Sequence, residues 1–213
     1  VAHKLKAAVI TEWHPVDMIA FQTMFRQFEE FEVYVQSWDL FCQDGNNGLY
    51  DVVVYYNLSI PTPENNDPRR RYLEEKLGST GQGIVLLHHA ILNYPDWDFW
   101  DEVSGVSDRS FKYFWEQTVR YDIADADHPI TRGLRNFAMI DETYRMAEPG
   151  PDNRVLITAD HPNSMKAIAW TRQYKNSRVF CYQSGHDDLA YGDVHFKEVL
   201  RRGMLWCARQ LPD

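Results

Sequence analysis

The stretch Gly83-Ile84-Val85-Leu86-Leu87-His88-His89-Ala90 decides the reading of this chain. A short aliphatic run bounded by glycine and polar groups predicts a strand buried on both faces. The run stops at two histidines, which therefore sit where the strand leaves the sheet. In open α/β sheets that rim is where ligands bind.

Working back from this stretch, Leu5 to Ile10 reads as a first buried strand, closed by Thr11-Glu12-Trp13-His14-Pro15. Val16, Ile19, Ala20, Met24, Phe28 and Phe31 then fall at three- and four-residue spacing, which predicts a helix. Glu32 to Ser37 and Asp51 to Tyr56 read as further strands, separated by the turn Gly45-Asn46-Asn47-Gly48. Asp67-Pro68 opens a helix, with the acid as N-cap and proline at the first helical position. Leu73 and Leu77 share a face of it, and Gly78 stops it. Strands alternating with helices predict a parallel sheet covered on its faces.

Beyond the central stretch lies an aromatic segment, about 93–121, read as an insertion in a single domain of 1–213. Trp97, Trp100 and Val103 share helical spacing, with Asp96 as a cap. Phe111, Tyr113, Phe114 and Trp115 follow, then a short strand, Val119 to Ile123. Ile140 to Met146 and Arg154 to Thr158 read as strands. Met165 to Thr171 and Arg178 to Gln183 flank Tyr174-Lys175-Asn176-Ser177, a hairpin pattern. Phe196, Val199, Leu200, Gly203 and Cys207 mark one stripe of a last helix, with Gly203 allowing close approach to the sheet.

The 213 residues are 44% apolar with a formal net charge of -9. That charge disfavours nucleic acid or an anionic membrane surface as partner. No stretch is long and apolar enough to span a bilayer, so membrane insertion is not expected. No basic-then-apolar leader precedes the first strand. A cytoplasmic location is favoured, although the start at Val1 leaves export open. Cys42, Cys181 and Cys207 match no zinc or redox spacing and are odd in number, which argues against a disulfide framework. Cys181 and Cys207 read as buried structural thiols.

Histidines recur at strand ends: His14, His88 and His89, His161, His186. Adjacent strand residues point to opposite faces. One of His88 and His89 is therefore expected to face a ligand, and the other to anchor a loop or support its neighbour, unless the chain turns between them. Imidazole and carboxylate suit zinc or another first-row ion, although no tight motif such as H-E-x-x-H is present. Ser184, His186 and Asp187 are too close in sequence for a converging triad. No G-x-S-x-G elbow, phosphate-binding loop or dinucleotide fingerprint occurs, so no nucleotide cofactor is expected. Asp141-Glu142 offers a base or a ligand, or simply a strand-end hydrogen bond. Arg172 is a candidate for holding an anion or hydroxyl. The aromatic segment suits stacking on sugar rings, and equally core packing or a subunit interface in a homo-oligomer.

Together these stretches resemble the trehalose-utilisation, or ThuA-like, family. The similarity rests on Val85-Leu86-Leu87-His88-His89-Ala90 and Trp97-Asp98-Phe99-Trp100. It also rests on Asp127-His128-Pro129-Ile130-Thr131-Arg132-Gly133-Leu134 with Asp141-Glu142-Thr143-Tyr144, and on Ala169-Trp170-Thr171-Arg172 with Gly185-His186-Asp187. It runs from His14-Pro15 to Trp206. The resemblance implies a flavodoxin-like three-layer αβα sandwich, related to class I glutamine amidotransferases, with a mostly parallel central sheet and a C-terminal hairpin. Those relatives place a nucleophilic cysteine after a central strand, where this chain has His88-His89-Ala90. Glutaminase chemistry is therefore not expected. The family is linked to trehalose, related disaccharides and their keto derivatives.

The expected function is an enzyme acting on a disaccharide or keto-sugar by histidine acid/base chemistry. His88, His89, His186, Asp187 and Glu142 are the candidate catalytic residues. His14, Trp100 and Arg172 are the candidates for holding substrate. A zinc-like divalent metal is a candidate cofactor at His88, His89 and His186. The rivals are a non-catalytic sugar-binding or interaction module and a metal-dependent hydrolase.

Overall fold

A computed structural model describes residues 3–212. Nine strands form one sheet: β1 (Leu5–Ile10), β2 (Phe31–Gln36), β3 (Val52–Tyr55), β4 (Gly83–Leu87), β5 (Phe111–Ile123), β6 (Phe137–Met146), β7 (Arg154–Ala159), β8 (Ala167–Tyr174) and β9 (Ser177–Tyr182). Their spatial order is β2-β1-β3-β4-β9-β8-β7-β5-β6. Six helices accompany them: α1 (Met18–Phe25), α2 (Trp38–Gln43), α3 (Pro68–Arg71), α4 (Phe99–Ser104), α5 (Asp188–Gly192) and α6 (Val194–Cys207).

Strands β3, β4 and β9 are buried along their whole length. Period-two alternation sends their side chains into two separate cores. On one face Val54, Val85, Leu87, Phe180 and Tyr182 pack against α1 and α6. On the other, Val53, Tyr55, Ile84, Leu86 and Cys181 pack among residues of α2, α4 and the segment after α3.

The expectation of a mostly parallel sheet is corrected. Pairings β1–β2, β1–β3, β3–β4 and β4–β9 are parallel. Pairings β5–β6, β5–β7, β7–β8 and β8–β9 are antiparallel. No helix lies between β5 and β9. A parallel pair needs a long crossover, usually a helix, so neighbours in this half run antiparallel.

The aromatic segment divides between two elements. Its first part forms α4, with Trp100 and Val103 in the core. Its second part is the long strand β5. Pairing of β5 with β7 involves only Tyr121 to Ile123. Pairing with β6 begins at Phe111. The early part of β5 and the late part of β6 therefore form a two-stranded ribbon that extends beyond β7, on the side where β4 and β9 end.

Helix α1 is shorter than its stripe suggested. Asp17 caps it by accepting from the Ile19 and Ala20 amides. Its buried residues are Phe21, Met24 and Phe25, whereas Ile19 is 83% exposed and Phe31 already belongs to β2. Asp67 and Pro68 open α3 as expected, and Gly78 has φ 72°. Helix α6 buries Phe196, Val199, Leu200, Gly203 and Cys207. Among the described residues no helix is long and apolar enough to cross a membrane.

Gly203 lies so close to β9 that a Cβ there would sit 2.2 Å from the Phe180 ring. Gly203→Ala must displace that ring or the helix, at a cost of about 1–3 kcal/mol. A thermal melt is expected to show a Tm lower by several degrees, and an unchanged Tm would mean that α6 can retreat freely.

Candidate active site

Strands β1, β3, β4 and β9 are mutually parallel, so their ends share one rim. Residues after β1, β4 and β9 deliver His14, then His88 and His89, then His186. The ribbon of β5 and β6 adds Glu142, Tyr144 and three aromatic side chains. His14, Leu58, His89, Leu92, Phe111, Tyr113, Trp115, Glu142, Tyr144 and His186 line a pocket of about 240 Å³.

The chain turns sharply at His88. Its φ is 53°, a left-handed conformation uncommon outside glycine. A single 3-10 turn, His88–Leu92, follows. This turn overrides strand parity and brings both rings to the rim, with centroids 5.2 Å apart. The division of roles is geometric. His89 lines the pocket 4.3 Å from the His14 ring, and its Nε2 donates to the Tyr56 carbonyl at 2.8 Å. His88 lies fully buried.

His88 is the hub of the polar cluster. Its Nδ1 donates to the Gln183 carbonyl at 2.7 Å. In a neutral ring Nε2 is then an acceptor. The Tyr144 hydroxyl donates to it at 2.6 Å. His186 Nδ1 lies 3.2 Å from the same Nε2, and Glu142 Oε1 lies 3.4 Å away. Glu142 Oε2 is 3.6 Å from His186 Nδ1.

Burial pushes the Glu142 carboxyl up, but the hydrogen bond and charge of His88 and the charge of His186 outweigh it. Glu142 is held below the usual value. Burial and the nearby His88 pull His186 down, against Glu142 and Asp187. Burial likewise lowers His14, and lowers His89 far more. Burial also raises the Tyr144 phenol, which stays protonated. The surroundings thus favour the neutral form of His14, His89 and His186, the ionised form of Glu142 and the protonated Tyr144 phenol.

Asp141 holds the two parts of the site together. Its Oδ1 accepts from the Glu142 and His186 amides, and its Oδ2 from the Gly185 amide. Behind the same turn, the Tyr56 hydroxyl donates to the Gly185 carbonyl and the Tyr191 hydroxyl to the His186 carbonyl. The turn after β9 is thereby held from both sides.

The structure brings together His14, His88, His89, His186 and Glu142, keeps Asp187 beside His186 but outside the pocket lining, and places Trp100 and Arg172 elsewhere. Asp187 caps α5, accepting from the Leu189 amide at 3.0 Å. Trp100 is fully buried, and its indole donates to the Ala90 carbonyl. Arg172 pairs in register with Val179, at the start of β9 and the opposite end of the sheet, and bonds Asn153 and Asp152. His161 is also outside the pocket, its Nδ1 accepting from the Asn163 amide. None of the three cysteines lines the pocket. Cys181 and Cys207 are core thiols, and burial pushes the Cys42 thiol up to about 11.

The sequence names Phe111, Tyr113 and Trp115 as part of an aromatic segment without assigning them an element; they alternate along β5, a period-two signal. Trp115 is 64% exposed and stacks toward the His186 ring at 6.4 Å, 25° from parallel. The strand register breaks between Phe114 and Gln117, and Glu116 has φ 50°. Such bulges re-aim side chains.

A family model described as ThuA, trehalose utilisation, matches residues 6–207. The chain belongs to the ThuA family. Solved structures agree on the fold. A ThuA-like protein from Parabacteroides merdae superposes with a TM-score of 0.76 at 21% identity, covering 98% of this chain and 91% of that one. A ThuA-like protein from Bacteroides uniformis gives 0.72 at 21% identity, covering 95% and 91%. PurLQS from Thermotoga maritima gives 0.59 at 15% identity, covering 96% and 99%, which ties this ThuA chain to glutamine amidotransferase-like folds. No curated protein matches.

Asp141→Asn tests the clamp. It replaces one acceptor oxygen with a donor facing an amide, at a cost of about 1–3 kcal/mol. Denaturant unfolding is expected to show that loss, and full stability would remove Asp141 from its positioning role.

Proposed function

We propose that this ThuA-family chain is an enzyme of carbohydrate metabolism that acts on a disaccharide or keto-sugar through histidine acid/base chemistry. The observation that carries the reading is the pairing of an aromatic wall with a polar base in one pocket. Phe111, Tyr113 and Trp115 present ring faces, which suit the apolar face of a sugar ring. Beside them lie His14, His89, His186, Glu142 and Tyr144. The pocket volume suits one ring, leaving a second ring at the open mouth. The family's link to trehalose utilisation supports the same substrate class.

In this reading His186 at the rim moves the proton. A neutral imidazole is an effective base near neutral pH, and a carbon next to a keto group is acidic enough to yield a proton to it. Glu142 orients that ring, and Tyr144 offers a protonated hydroxyl for an oxygen that gains charge. His88 anchors the cluster from below through Gln183. The resemblance to amidotransferases puts its left-handed turn where those proteins carry a nucleophilic cysteine, which supports chemistry other than a glutaminase's.

The test is incubation with disaccharides and their keto derivatives, with product analysis. His186→Ala is expected to lower turnover by about a hundredfold or more. Its melting profile should stay close to that of the parent chain. Trp115→Ala is expected to raise KM by about three- to tenfold with little change in kcat, the worth of one stacking contact. Saturable sugar binding with no product after long incubation would identify a binding module instead.

A further inference from the structure

We propose that His88 Nε2, His186 Nδ1 and a Glu142 carboxylate oxygen form a site for one first-row divalent cation, zinc being the best fit. The three closest approaches between these groups are 3.2, 3.4 and 3.6 Å. With one atom from each residue, all lie within 4.8 Å of one another. Two ligands bound at about 2.0–2.1 Å in a tetrahedron stand about 3.3–3.4 Å apart. His88 Nε2 and His186 Nδ1 already stand at about that separation, and a shift of the Glu142 carboxylate, whose two oxygens lie 3.4 and 3.6 Å from them, would complete the set.

The hydrogen-bond accounting points the same way. Gln183 offers His88 a carbonyl, which only accepts, so the ring proton sits on Nδ1. His88 Nε2 then has the Tyr144 hydroxyl as its donor, while the Glu142 carboxylate, itself an acceptor, lies 3.4 Å from the same nitrogen. A cation between nitrogen and carboxylate would satisfy both. A proton would satisfy one pair, whereas an ion serves all three groups at once. The donor set of two imidazoles and one carboxylate is that of catalytic zinc sites, which keep a further position open. Here the open side is the pocket, which Glu142 and His186 line.

The surrounding shell is also that of a metal centre. A ligating histidine almost always donates its other nitrogen to a carbonyl or carboxylate, as His88 does to Gln183. Asp141 fixes the backbone of both other ligands. His89, expected from the sequence to be a ligand, lies outside the group whose ligand atoms fall within 4.8 Å of one another, and Glu142 stands in its place. The Tyr144 hydroxyl shares the His88 lone pair, so it yields that bond when an ion enters.

This inference concerns the pocket of the proposed enzyme but does not rest on its substrate. With an ion bound, His186 and Glu142 would be ligands, so the proton transfer given above to His186 would pass to a water or sugar oxygen polarised by the ion. The two readings fail separately, because one is read by ion uptake and the other by product.

The full-length chain, stripped with a chelator, is titrated calorimetrically with Zn2+ alone and with Mn2+ alone. Content after gel filtration is measured by elemental analysis. One Zn2+ per chain is expected at micromolar or lower concentration, with a rise in Tm. Glu142→Gln and His186→Ala are each expected to weaken uptake by about a hundredfold or more. Circular dichroism of the metal-free proteins checks that both variants fold. His14→Ala and Tyr144→Phe are expected to keep the stoichiometry of one. Absence of saturable uptake, or undiminished uptake in both Glu142→Gln and His186→Ala, would overturn the proposal.

Discussion

The three backbone amides that Asp141 gathers hold this site together. Glu142 belongs to the edge strand of the sheet, and His186 follows a central one. Three strands, β8, β7 and β5, separate them in the sheet order. Only a ribbon that overreaches its neighbours can bring the edge back over the centre, and only a fixed contact can keep it there. Asp141 supplies that contact by accepting from both sides. An acceptor so placed is expensive to lose, because the amides it satisfies have no solvent to turn to.

The left-handed turn at His88 is the second constraint. It places an unusual backbone conformation at the end of a strand buried on both faces. Such strain persists where the surroundings over-determine it. Here the ring is held by Gln183, Tyr144 and His186, and it stacks on Tyr144 at 4.7 Å. The next residue is locked to Tyr56. Two adjacent histidines thereby do different things within one rim, a result that a straight strand would forbid.

Much of the parallel half was legible in the sequence, because buried strands and capped helices leave local signals. The run before His88, the Asp67-Pro68 cap and the stripe with Gly203 each depend on near neighbours only. The convergence of His14, His88 and His186 followed from one rule, that parallel strands end on one rim. What was not legible depends on long-range pairing. Whether Phe111 to Trp115 are strand or helix is decided by β6, far along the chain. Arg172 looked close to His186 in the motif order, yet strand direction sends it to the other end of the sheet. Trp100 is aromatic and near the histidines in sequence, but the core claims it. Asp187 reads as chemistry beside His186 and also caps a helix.

The β5–β6 ribbon divides the pocket by origin. Phe111, Tyr113 and Trp115 are exposed or partly exposed on a two-stranded arm, while His14, His88, His89 and His186 come from loops at the ends of packed parallel strands. Side chains on the arm have few neighbours to disturb, whereas those beneath are tied to carbonyls and to one another. Substitutions along β5 can therefore reshape the mouth of the pocket while Glu142 and Tyr144 on β6 and the four histidines keep their places. The rim of the pocket and its polar floor answer to different strands.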